Sequence, residues 1–212
     1  KSLDEWKDII RKGLVCLIDL EDYDYSPKTT LPIRATERTV KERLPIRIDI
    51  RKDAPLELPH ICIFMDDENN TIFSQIDKNK KNMRLLYDFD LNMKGGHITG
   101  YLVNNSIEVK NQILSLEKKG DENDGNILFV IGDGNHSLAA AKECWNLIRA
   151  NISDKDAKSH PARFALCELQ NIRDEAIVFE PIHRFISGAG KEFIQYLKDT
   201  LCKNISLCKD YL

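Results

Sequence analysis

The chain has 212 residues, of which 42% are hydrophobic and 31% charged, an ordinary balance for a soluble globular protein. Its formal net charge of −3 indicates no overall basic field of the kind that favours nucleic acid or anionic membranes, and it leaves room for a local basic patch such as residues 78–84. No apolar run reaches the roughly 20 residues of a membrane-spanning helix. The six cysteines form no C-x-x-C pair, which predicts reduced thiols in a cytoplasmic protein.

The length predicts a single compact domain over residues 1–212. Within it we loosely distinguish a half over residues 1–104, rich in strand and loop signals, from a second half over residues 105–212. Because the sequence begins with Lys1 rather than Met, we expect it to be a piece of a longer protein.

The first half of the chain predicts strands separated by polar segments. A capping-box pattern at Ser2 and Glu5 predicts a short first helix. The proline-rich stretch at 21–60 predicts loops with one short helix near 39–44. Strands are predicted at 14–20, 61–67, 85–91 and 97–103, the last two joined as a hairpin at Gly95 and Gly96.

The second half alternates helical and extended patterns. Asn105 and Glu108 form a capping-box pattern that predicts a helix to about residue 119. Strands are predicted at 127–131 and 162–172, an extended segment at 178–186, and helices at 137–150 and 190–204. Hairpins mixed with helices favour an α+β (mixed α/β) fold over a doubly wound sheet.

The sequence GDGNHS at 132–137 lies between a predicted strand and a predicted helix. Glycines there allow close backbone approach, and free N–H groups at a helix start favour a phosphate. Asp133 would repel that phosphate unless a cation such as Mg²⁺ bridges them, and His136 could donate to it or act as an acid or base. Alternatively, Asn135 or Ser137 caps the helix, and Asp133 and His136 only fix the turn.

Three further segments concentrate polar side chains. IRATERTVKER at 33–43 carries Arg34, Glu37 and Thr39, where a solvated face is the alternative interpretation. KGGHITGY at 94–101 carries His97 beside a hairpin turn, and FEPIHRF at 179–185 carries His183 and Arg184. The spacing of the histidines gives no support for a zinc site.

Taken in order, these stretches resemble a bacterial and archaeal family known as domain of unknown function 1015. The resemblance runs from LIDLEDYDYS through LPIRATERTV, GGHITGYLV and VIGDGNHSLAAAK to FEPIHRFI, nearly the whole chain. The loop of that family is itself similar to the G-x-H-R loop of the ParB and sulfiredoxin-like superfamily, whose members bind nucleotide phosphates at a helix start. The resemblance therefore implies a ParB/sulfiredoxin-like core with a strand, a Gly-rich phosphate loop and a helix, to which hairpin strands are added. It makes residues 105–212 the ParB-like half of the chain.

The resemblance also implies a set of site residues. It assigns a phosphate- and nucleotide-binding role to Gly132, Gly134, Asn135, Ser137, Arg34, Thr39, His97, His183 and Arg184. It assigns catalytic roles to Glu37, His136 and Asp133, with Asp133 also beside a metal ion. This sequence departs from the family pattern because Asn135 replaces a histidine, Ser137 replaces an arginine, and Ala35 replaces a histidine.

Our first functional hypothesis is a nucleotide-dependent phosphotransferase that acts on a small metabolite and resembles the free-serine kinases. It would use Mg²⁺ with ATP or ADP, and Glu37 or His136 would be its base. The first alternative is a nucleotide-binding ParB-like module for DNA partition or regulation, which the acidic composition does not favour. The second is a nonenzymatic binding domain. The sequence predicts no membrane partner and no particular oligomeric state.

Overall fold

The computed structural model describes residues 9–120 and 125–178, together with isolated positions between 187 and 199. Contacts between Cα atoms divide the chain into one unit of Lys1–Ile177 and a second of Val178–Leu212. In the second unit, positions 192–193, 195–196 and 199 are helical. The predicted extended segment at 178–186, with His183 and Arg184, lies almost entirely outside the described residues, as does most of the predicted first helix.

The first unit contains eight strands and five α-helices among its described residues. The strands are β1 (Leu14–Asp19), β2 (Tyr23–Asp24), β3 (Ile33–Ala35), β4 (Ile61–Met65), β5 (Arg84–Asp90), β6 (His97–Leu102), β7 (Phe129–Asp133) and β8 (Phe164–Asn171). The helices are α1 (Leu44–Lys52), α2 (Thr71–Asn79), α3 (Ser106–Leu114), α4 (Asn135–Arg149) and α5 (Asp154–Ala157). The mixed α+β class is therefore confirmed.

Six of these strands form one mixed sheet in the order β1-β8-β4-β7-β3-β2. β8 runs parallel to β4, and β7 runs parallel to β3, whereas the central β4–β7 pair is antiparallel. The two remaining strands, β5 and β6, pair only with each other and form the predicted hairpin. The sheet thus brings the end of β7 between β4 and the segment that follows β3.

The longest helix, α4, packs its apolar face on the sheet. Leu138 and Trp145 are completely buried, and the alanines at 139–141 allow the helix backbone to approach the strands closely. The Trp145 indole Nε1 donates to Glu21 Oε1 at 2.6 Å, which satisfies its buried N–H group. This packing fixes the position of the N-terminus of α4, where the candidate site lies.

Three of the described helices, α1, α2 and α5, were not predicted from the sequence. The helix expected near 39–44 is only a 3-10 turn at 41–43 that leads into α1, and α2 lies in a segment for which the sequence predicted no helix. In α1, Ile46 and Ile50 are about 70% exposed, so its isoleucines do not form the buried stripe that identifies a helix from sequence. The predicted helix at 105–119 ends earlier, at Leu114.

Candidate functional site

The predicted loop at 132–137 is a junction of a single residue. β7 continues through Asp133, Gly134 adopts a left-handed conformation with φ 84° and ψ 18°, and α4 begins at Asn135. The prediction of a six-residue Gly-rich loop at 132–137, with the helix beginning only at Ser137, was therefore wrong. The reason is that one left-handed glycine turns the chain from strand to helix.

Packing requires both glycines of this junction. A Cβ atom on Gly134 would lie 3.0 Å from the Cα of Ile61, in addition to the strain of the positive φ. A Cβ atom on Gly132 would lie 2.0 Å from the Phe64 ring carbon Cε2. Both glycines therefore allow β7 and the start of α4 to approach β4 closely.

The carboxylate of Asp133 is exposed beside the start of α4. Its Oδ1 accepts a hydrogen bond from the backbone N–H of Gly134 at 2.7 Å. Within the described residues, no group of three or more His, Cys, Asp or Glu side chains could hold a metal ion. A cation at Asp133 would consequently need ligand oxygens from a bound molecule or from water.

Residues 36–40, which we name the strap, run across this junction and are joined to it by hydrogen bonds. Thr36 Oγ1 donates to the carbonyl oxygen of Ile131 at 2.7 Å. The Asn135 amide is buried, and its Nδ2 donates to the carbonyl oxygen of Glu37 at 3.2 Å, while its Oδ1 accepts from Thr39 Oγ1 at 3.3 Å. Asn135 is thus a structural connector between α4 and the strap.

His136 forms the fourth link to the strap. Its Nε2 accepts a hydrogen bond from the backbone N–H of Val40 at 3.1 Å. In the neutral imidazole this leaves the proton on Nδ1. The side chain can therefore donate through Nδ1, and Nε2 serves as a general base only if the bond to Val40 breaks.

Among the residues that the structure describes, the backbone donors in the first turn of α4 have no hydrogen-bond acceptor. No described side chain caps this 15-residue helix, and its first i to i−4 bond runs from Leu138 N to the carbonyl oxygen of Gly134. The N–H groups of residues 135–137 precede that bond and point along the helix axis, where the helix dipole favours an anion. The half-buried Ser137 lies in this turn.

The structure brings together Glu37 and Thr39 with Gly132, Asp133, Gly134, Asn135, His136 and Ser137. Arg34 lies at the base of the strap, where its Nε donates to the carbonyl oxygen of Leu31 at 3.0 Å and one terminal nitrogen donates to that of Asn126 at 3.2 Å. His97 lies on the β5–β6 hairpin, where Asp88 and Asp90 each accept a hydrogen bond from its ring at 2.7 Å. His183 and Arg184 are outside the described residues.

A second polar cluster, which the sequence analysis did not identify, follows the parallel strands β4 and β8. Arg173 and Lys118 both bind the carboxylate of Asp66, and these contacts lower its pKa to about 2. The neighbouring Asp67 is buried, and its Oδ2 accepts from the backbone N–H of Ile72 at 2.9 Å. The sequence signal was the paired aspartates directly after a strand. Asp67 therefore holds the start of α2, whereas Asp66 joins Lys118 to Arg173.

The cysteines in the described part of the chain are free thiols. Cys16 lies opposite Cys167 across the β1–β8 pair. Burial raises the pKa of Cys16 to about 11 and that of Cys167 to about 12. Both thiols are therefore protonated at neutral pH and poor nucleophiles.

The sequence model of the family described as "Protein of unknown function (DUF1015)" matches residues 3–206, and the chain belongs to this family. Comparison with curated proteins and with solved structures gave no match. None of the helices in the described segments has the length and apolarity of a membrane span. The likeness to the ParB and sulfiredoxin-like superfamily stays a prediction.

Proposed function

We propose that this member of the DUF1015 family binds the phosphate groups of a nucleotide at the N-terminus of α4 and transfers a phosphoryl group to a small metabolite. The observation that carries the proposal is the uncapped first turn of α4 beside the strap. A long helix whose first N–H groups lack acceptors is a ready-made site for phosphate oxygens.

The side chains around this turn divide into structural and functional groups. Asn135 and the Nε2 atom of His136 are occupied by the strap, so they orient the site. The backbone N–H groups of 135–137, the Ser137 hydroxyl and the His136 Nδ1–H group are then the phosphate donors. These donors would take over the role of the histidine and the arginine that the family pattern has at the positions of Asn135 and Ser137.

The negative charge of the phosphate groups would be neutralised by a bound cation and by basic side chains in and directly after the strap. Asp133 adds a negative charge at the site, so it would hold a Mg²⁺ ion, whose positive charge would offset that of the phosphate groups. Arg38 in the strap, with Lys41 and Arg43 directly after it, is exposed to solvent and adds positive charge. These cations compensate for the family arginine that Ser137 replaces.

The proposed reaction has a simple balance. The acceptor hydroxyl oxygen attacks the terminal phosphorus atom of ATP or ADP, and the bond from that phosphorus to the bridging oxygen breaks. The exposed carboxylate of Glu37 takes the hydroxyl proton, and the shortened nucleotide leaves. Glu37 is the better base because its carboxylate, unlike His136 Nε2, is not hydrogen-bonded to the junction.

Isothermal titration calorimetry of the chain with ATP, ADP, CTP and GTP, each with and without Mg²⁺, tests the binding step. We expect at least one nucleotide to bind, with higher affinity in Mg²⁺. Release of ADP or AMP in the presence of free serine then tests transfer to a hydroxyl acceptor. Binding without transfer would favour a nonenzymatic binding domain, and no binding would refute the proposal.

A further inference from the structure

We propose that His136 is a positioning residue that couples phosphate binding at the start of α4 to the strap. In this coupling a phosphate oxygen accepts from the Nδ1–H group of His136, and Nε2 thereby becomes a stronger acceptor for the backbone N–H group of Val40. The stronger bond holds the cations of the strap segment against the phosphate. The inference rests on the proposed function, because it needs a phosphate at the start of α4.

The imidazole of His136 can bind the strap and a phosphate through different ring nitrogens. Nε2 accepts from the Val40 N–H group at 3.1 Å, so the neutral ring carries its proton on Nδ1. When one nitrogen of an imidazole donates to an anion, the other nitrogen becomes more basic. Hydrogen bonds in such a chain strengthen one another by about 10–30% each. A bound phosphate therefore tightens the bond to Val40.

The other contacts between the strap and the junction are less accessible to a ligand. Asn135 is only 5% exposed, and its amide is bonded to the strap at both ends. Thr36 Oγ1 donates to a backbone carbonyl oxygen of β7. His136 is half-buried, and within the described segments its Nδ1 has no hydrogen-bond partner. The bond between His136 and Val40 is therefore the strap contact that a phosphate can change.

Two cations belong to the segment that this bond holds. Arg38 lies in the middle of the strap, and Lys41 directly follows Val40. Both side chains are exposed, and among the described residues neither forms an ion pair, so their charges are available to a phosphate. The backbone N–H group of Arg43 donates to the carbonyl oxygen of Val40 at 3.1 Å. Fixing Val40 therefore also fixes the 3-10 turn at 41–43 that carries Lys41.

Val40→Pro removes the N–H donor and tests the coupling directly. Val40 has a φ of −81°, close to the roughly −65° that a proline ring imposes, and its side chain is 39% exposed. Val40→Ala is the matched control, because it shortens the same side chain and keeps the N–H group. The probe is whichever of ATP, ADP, CTP and GTP, each with Mg²⁺, binds the wild type most tightly.

Hydrogen exchange of the Arg43 amide, followed by NMR, measures how firmly the 3-10 turn is held. We expect the bound nucleotide to slow this exchange severalfold in the wild type and in Val40→Ala, and to leave it unchanged in Val40→Pro. Nucleotide affinity should fall roughly three- to tenfold in Val40→Pro and depend less on salt, because Arg38 and Lys41 are no longer held against the phosphate.

A second measurement needs no variant and decides the question if Val40→Pro fails to fold. In the wild type, the Val40 amide proton should move downfield when the nucleotide binds, because its hydrogen bond becomes stronger. An unchanged Val40 shift in the bound protein would overturn the coupling, as would a nucleotide-induced slowing of Arg43 exchange that persists in Val40→Pro. A wild type that binds none of the four nucleotides refutes the proposed function, and the coupling with it.

Discussion

Thr39 and Asn135 are 96 positions apart in the sequence, yet the Thr39 hydroxyl donates to the buried Asn135 amide at 3.3 Å. The Nδ2 atom of the same amide donates to the backbone carbonyl oxygen of Glu37 in the strap. Through this one side chain, the start of α4 and the strap become a single structural unit. The strap therefore cannot move away from the candidate site without exposing or unpairing Asn135.

The first prediction concerns this connection. Asn135→Ala should lower the free energy of unfolding by about 2 kcal/mol, because the buried partners on the strap lose their hydrogen bonds. Thr39→Val keeps the shape of the side chain and should cost about 1 kcal/mol. Urea denaturation of both single variants and the double variant gives the coupling energy, expected near 1 kcal/mol. Strictly additive effects would contradict the connection.

The second prediction concerns the tautomer of His136. Because Nε2 accepts from the Val40 N–H group, ¹⁵N NMR of the neutral side chain should show the proton on Nδ1. His136→Ala should also lower the free energy of unfolding by about 1 kcal/mol. A neutral imidazole protonated on Nε2 would refute the contact with Val40. Nδ1 would then be the ring nitrogen that can accept a proton.

The third prediction concerns pH. Hydrogen bonds to Asp90 and Asp88 raise the pKa of His97 above its usual value of 6.5. A raised folded-state pKa means that this cluster stabilises the hairpin fully below about pH 6.5, and that the stabilisation is lost as the pH rises through the folded-state pKa. An NMR titration should place the His97 midpoint above 6.5 in the wild type and lower in Asp90→Asn. Equal midpoints would show that the cluster does not form in solution.

The fourth prediction concerns the cation at the proposed nucleotide site. Asp133→Asn keeps an oxygen that can accept from the Gly134 N–H group and removes the negative charge. If Mg²⁺ bridges Asp133 and phosphate, nucleotide affinity should fall several-fold in Mg²⁺ and rise in EDTA, where repulsion alone acts. Calorimetry under the two conditions measures both changes. An increase in affinity in both would exclude Asp133 as a metal ligand.

The sequence predicted most of the strands because their apolar runs are long enough to recognise. β2 and β3 were missed since they contain only two and three residues, and the alternating isoleucines of α1 carry no helical stripe. The family resemblance placed Glu37 and Thr39 in one site with Asp133 and His136. It could not show that the strap bonds directly to the helix start, because a contact between segments this distant depends on the strand order.

The most direct test of the phosphate site is Ser137→Asp, since it separates stability from binding. A carboxylate in the first turn of α4 should raise the free energy of unfolding by about 0.3–1 kcal/mol through the helix dipole. The same charge should repel phosphate and weaken nucleotide binding roughly tenfold or more. Asn146→Asp, on the exposed surface of the same helix about 14 Å along its axis, is the control and should leave affinity unchanged. Higher stability with weaker nucleotide binding is the result we predict, and unchanged affinity in Ser137→Asp, or a wild type that binds no nucleotide, would contradict the account.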